Sequence, residues 1–120
     1  MPQQPYRTTL AGWGRFPVVE ALEWRSEDLA AITVTASLCR GLGRSYGDSS
    51  LPARADFSVA NTTLADRLLK FDPATGLVRA EAGVSLLQLN RVFLPRGWFV
   101  PVSPGTQFVT VGGMVASDVH

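Results

Sequence analysis

Histidine and cysteine are nearly absent from this chain: one of each in 120 residues. A single Cys39 excludes an internal disulfide and a cysteine-only metal site. At the end of an apolar run, it reads as a small buried hydrophobe rather than a reactive thiol. The one histidine, His120, is the last residue of the sequence, and the acids are scattered without an obvious pair. No Ser/His/Asp or Cys/His arrangement can be assembled. Charge of one sign is also lacking. The net charge is +1 with no basic cluster, which argues against nucleic acid as the main partner. No apolar run approaches the roughly 20 residues of a membrane span. The polar N-terminal stretch Met1–Arg7 has no hydrophobic signal core, so the expectation is a soluble, cytoplasmic protein. A chain this poor in acid/base and nucleophilic groups must borrow its chemistry, and a cofactor is the usual source.

What the chain does have is apolar material for a core, at 46% hydrophobic and 18% charged residues, and glycine in telling places. The stretch Arg40–Asp48 reads R-G-L-G-R-S-Y-G-D, with three glycines inside seven residues, directly after the apolar run Ile32–Cys39. Glycine accepts positive φ and lets a ligand approach bare backbone. Successive amide N–H groups in such a turn form an anion-binding concavity. Arg44 can add a charge-assisted contact and Ser45 a hydroxyl. The alternative is an ordinary tight connection. Tyr46 stands where a Rossmann fingerprint needs its third glycine, and no lysine follows as in a Walker A loop. A second glycine pair follows Thr110 and Val111. Thr110–Gly113 reads as a capped helix start whose N-terminal amides are uncovered, a ready anion site; the alternative is a glycine-weakened helix in the core. Two such sites in one small domain point to a diphosphate gripped from two sides.

The remaining stretches read as follows. Residues 1–25 form an irregular lead-in, with Trp13 as a packing anchor. Ser26-Glu27-Asp28 starts a short helix, and the β-branched Ile32–Thr35 reads as strand. Leu51–Asp56 is a connection and Phe57–Ala60 a short strand. Leu68–Phe71 and Leu77–Ala82 form a hairpin around Asp72–Gly76. Ser85–Leu94 is a helix, with a Ser85/Gln88 capping box and an apolar stripe of Leu86, Leu89 and Phe93, ended by Pro95 and Gly97.

The loop R-G-L-G-R-S-Y-G-D resembles the first flavin-binding loop of the FAD-linked oxidases with the vanillyl-alcohol-oxidase (PCMH-type) fold, and in particular the bacterial sugar and aldonolactone oxidases among them. The resemblance begins at Gly12–Arg15 (G-W-G-R) and continues through Glu81–Val84 and Val100–Thr106 to Val109–His120. It implies an α+β fold, a small mixed sheet with flanking helices, that forms the first part of a PCMH-type FAD-binding domain spanning residues 1–120. It further implies FAD contacts at Cys39, Arg40, Gly41, Leu42, Gly43, Arg44, Ser45, Tyr46, Gly47, Asp48, Ser49, Gly105, Thr110, Val111, Gly112, Gly113, Ser117, Asp118, Val119 and His120. Several relatives carry a flavin-linked histidine where Arg44 stands, so the FAD expected here is non-covalent. The implied reaction is oxidation of an alcohol carbon of a sugar or related hydroxyl compound by hydride transfer to flavin. The catalytic base is expected outside this sequence, which reads as an N-terminal fragment with uncovered apolar surface. A non-catalytic flavin- or nucleotide-binding module and a non-functional remnant are the alternatives. Relatives carry a longer helix and a Gly turn between Ser26-Glu27-Asp28 and the strand before the loop, so the first βαβ unit is the weakest part of the likeness.

Overall fold

The computed structural model describes residues 4–120. Five elements build the half that carries the first glycine loop. Strand β1 (Tyr6–Ala11) turns through Gly12–Pro17 into β2 (Val18–Arg25); helix α1 (Leu29–Thr33) leads to β3 (Leu38–Arg40); and after the loop comes β4 (Ser58–Asn61). The hairpin β5 (Leu68–Asp72) and β6 (Leu77–Ala80) follows. The four-stranded sheet has the order β1-β2-β4-β3, with β1 antiparallel to β2 and with β2, β4 and β3 mutually parallel. The chain is therefore α+β with a mixed sheet.

The lead-in differs from the sequence expectation. Residues 6–25 are two paired strands, not irregular; the expectation for residues 1–3 lies outside the described residues. The cause is nonlocal pairing: β1 gains its register, Tyr6 against Glu23 and Ala11 against Val18, only from β2. The Ile32–Thr35 strand is also corrected. Ile32 and Thr33 lie in α1, whose start is capped by Asp28, its carboxylate accepting from Ala31 N at 3.1 Å. Ile32 is buried at 2% exposure, so burial of one side chain outweighs the β-branched preference. The βαβ crossover survives the shortening, because the twelve residues between β2 and β3 suffice when β4 slots between them.

Two small cores result. Leu10, Ala21, Leu51 and Val59 pack together on the sheet, with Val19 and Leu38 against them. The loop after β3 therefore folds back across the sheet to seat Leu51. The second core gathers Val84, Leu86 and Leu89 with Phe93, Val100, Val109, Val111 and Met114. It is built around α2 (Leu86–Phe93), a 3-10 turn at Leu94–Arg96 and α3 (Val111–Ala116). The capping box is formed in full: Gln88 N donates to Ser85 Oγ at 3.1 Å and Gln88 Oε1 accepts from Ser85 N at 2.7 Å. Gly97, at φ 83°, ends the run. Ser85 and Thr110, the caps of α2 and α3, form an isolated antiparallel bridge. That bridge fixes the second glycine motif in space.

Candidate functional site

The first glycine loop leaves β3 at Arg40. Gly43 (φ 70°) and Gly47 (φ 59°) take the left-handed conformation that glycine tolerates. Among the described residues, no acceptor is bonded to the backbone N–H groups of Gly41, Leu42, Gly43, Arg44 or Ser45, although Gly43 is buried and Leu42 and Ser45 half-buried. Buried backbone donors are normally paired, and successive open donors on one turn form a concavity suited to an anion.

The second motif is where expected but differently employed. Thr110 caps α3, its Oγ1 accepting from Gly113 N at 3.1 Å. The amides expected to be open are taken: Val111 N donates to Val84 O at 2.7 Å and Gly112 N to Ala82 O at 2.9 Å. These partners lie in the segment that enters α2, a nonlocal pairing that the helix-start pattern does not reveal. What α3 offers is a small-residue wall rather than free donors.

The two motifs meet. A cavity of about 340 Å³ is lined by Cys39–Ser45, Ser49, Ser50, Val109, Thr110, Gly113, Ala116 and Ser117. Contact is close enough that a Cβ on Gly41 would run into Thr110 Oγ1 and Cγ2. The volume lies at the low end for small-ligand sites, with room for part of a dinucleotide. Of the expected positions, Cys39, Arg40, Gly41, Leu42, Gly43, Arg44, Ser45, Ser49, Thr110, Gly113 and Ser117 come together here. Tyr46, Gly47, Asp48, Gly105, Val111, Gly112, Asp118, Val119 and His120 do not line it. Tyr46 is 80% exposed, and its carbonyl accepts from Ser49 Oγ in a turn facing solvent. Asp118 and Val119 line a separate shallow depression with Pro101 and Val102. His120 Nδ1 lies 2.6 Å from Asp118 O, exposed. Ser50, Val109 and Ala116 were missed; Ala116 and Ser117 follow Gly113 by three and four residues, so helical spacing carries that signal.

Individual side chains also depart from expectation. Cys39 is exposed and faces the cavity, because strand alternation puts Leu38 on the core side. Trp13 is not a core anchor: it is 54% exposed, with the Arg44 guanidinium 5.9 Å from its ring centroid. Arg44 Nη1 also donates to Leu42 O at 2.7 Å. Arg40 braces the loop from within. Its Nη2 donates to Ala11 O at 2.6 Å and its Nη1 to Ser50 Oγ at 3.0 Å. Burial lowers its pKa from the usual guanidinium value, and the charge of Glu23 opposes that.

Comparisons with known proteins give the family. The family described as FAD binding domain matches residues 26–120. The chain is 40% identical over 121 aligned residues to decaprenylphosphoryl-beta-D-ribose oxidase of Mycolicibacterium smegmatis, covering 92% of this chain and 26% of that protein. It is also 54% identical over 37 residues to an uncharacterized protein in the mprA 5′ region of Streptomyces coelicolor, covering 31% of this chain and 10% of that one. The chain thus spans about a quarter or less of the length of these relatives. It belongs to the PCMH-type FAD-binding domains of the FAD-linked oxidases. The residues present fit the diphosphate of FAD: open loop amides on one side, and on the other the small residues Thr110, Gly113, Ala116 and Ser117 of α3 and its caps.

Proposed function

We propose that the cavity between the Arg40–Ser50 loop and α3 holds the FAD diphosphate, non-covalently, in an oxidoreductase acting on an alcohol carbon of a sugar or related hydroxyl compound. The observation that carries this reading is the run of unpaired N–H groups from Gly41 to Ser45 on the wall of a cavity completed by Thr110, Gly113 and Ser117. Bound flavin would supply the hydride-accepting chemistry that the chain's own side chains lack. The loop amides would donate to the diphosphate oxygens, the small residues of α3 leave it room, and Ser45 and Ser49 belong to the same wall. Arg44 brings a positive charge to the rim. It replaces a residue type that could bond covalently to flavin, which supports reversible binding. The sugar substrate class rests on the name of the Mycolicibacterium relative.

The test is titration of the purified chain with FAD, followed by flavin fluorescence, then acid precipitation. Saturable binding with all flavin released into the supernatant is expected. Absence of saturable binding, or flavin retained in the pellet, overturns the reading in its cofactor or its non-covalent part respectively.

A further inference from the structure

The corner between β1 and β2 lies outside the segment that the family description matches, yet it touches the glycine loop at four points. Ala11 O accepts from Arg40 Nη2 at 2.6 Å. Trp13 N donates to Ser45 O at 2.9 Å. The Trp13 ring lies against Arg44. Gly12 is buried, and a Cβ there would stand 2.6 Å from Gly47 O and 2.7 Å from Ser45 O. These are backbone oxygens of the loop itself, so nothing flexible could yield. The carbonyls of Ser45 and Gly47 are thus held against the corner, which pins the C-terminal end of the Leu42–Ser45 run. Arg44, restrained by the Trp13 ring, donates to Leu42 O, whose planar peptide carries the Gly43 N–H.

We propose that Gly12 and Trp13 are positioning residues: the corner is a template that holds the Leu42–Ser45 amides in the arrangement that grips a diphosphate. This rests on the FAD reading above and extends the site beyond the matched segment. Gly12 sets how closely the corner and loop approach. Trp13 fixes Ser45 through its N–H and restrains Arg44 through its ring, keeping that cation at the rim.

The full chain is compared as wild type, G12A, W13A and W13F by ¹⁵N relaxation without ligand and by titration with FAD and with riboflavin, which has no diphosphate. In the wild type, the Leu42–Ser45 amides are expected at order parameters of about 0.85, as in rigid backbone. In G12A they fall toward roughly 0.6, while the α2 amides keep their wild-type values. FAD affinity drops about tenfold or more, the scale of one lost charge-assisted hydrogen bond, and riboflavin affinity is unchanged. W13A, whose side chain lies outside both cores, loosens Arg44 and weakens FAD several-fold; W13F restores both. Loop amides that stay rigid in G12A and W13A overturn the template, as does an equal loss of order in α2. If G12A does not fold, W13A against W13F decides alone. A wild type that binds no FAD while G12A still loosens the loop would sink the cofactor reading and leave the template standing.

Discussion

Arg40 shows how one side chain can serve a site without meeting the ligand. Its guanidinium spans the loop, reaching Ala11 O in one direction and Ser50 in the other. Replacement by methionine leaves both ends of that span without their donor, at a cost of about 1–3 kcal/mol. Lysine should not restore it, since a single ammonium cannot bridge two separated acceptors as a planar fork does. Denaturant unfolding of R40M and R40K checks this: both midpoints should fall, and by similar amounts. The residue scale is also where the sequence misled most. Cys39 and Trp13 read as packing groups because an isolated apolar letter does not state which way its side chain points. Only the pairing of β3 at the sheet edge and the contact between the first corner and the loop decide that.

Among the elements, α2 and the β1–β2 pair behave oppositely. The helix was legible because its signals are local: Ser85 and Gln88 lie three apart, and the stripe of Leu86, Leu89 and Phe93 follows helical period. The hairpin of β5 and β6 was legible for the same reason. β1 was not, since its evidence lies in β2, with partners as far apart as Tyr6 and Glu23, and the occupied amides of α3 were not, since Ala82 and Val84 hold them. Removing the cap with S85A should cost about 1 kcal/mol, which in a small domain lowers Tm by roughly 4–8 °C; differential scanning calorimetry measures it. The β1–β2 pair carries its own titration. Burial, and then its hydrogen bond to the buried Glu23 carboxylate, push the Tyr6 hydroxyl pKa up to about 12. The folded pKa is raised, so the neutral phenol favours the folded state. That stability is fully present below pH 10 and is lost as pH rises through about 12. Y6F should flatten the fall in stability over that window, as read from unfolding midpoints at successive pH values.

At the scale of the whole molecule, the chain is flat, with extents of 47 × 36 × 19 Å. Its radius of gyration of 15.3 Å exceeds the roughly 13.6 Å of a compact chain of this length. Thinness leaves apolar groups outside: Leu77 at 71% and Leu69 at 54% exposure on the hairpin, and Phe99 at 61% beyond it. Open strand edges beside such residues favour self-association. The double substitution L69K/L77K should reduce light scattering at a given protein concentration without moving Tm by more than a few degrees, the usual range for surface changes in a small domain. No helix among the described residues is long and apolar enough to cross a membrane. The α+β architecture was readable from the family resemblance of the glycine motifs, whereas the insertion of β4 between β2 and β3 was not. Strand order depends on partners that no local pattern names.

Gly41 and Thr110 touch where two independently cored halves of the chain come together, so the cavity is a seam. A seam closes only after both sides have formed, and neither half alone can present the pair of walls. Occupancy of that space would therefore report docking between the halves. A lesion in the α2 cap, which is bridged to Thr110 on the cavity wall, should then register as weaker ligand retention before it registers as loss of strand pairing.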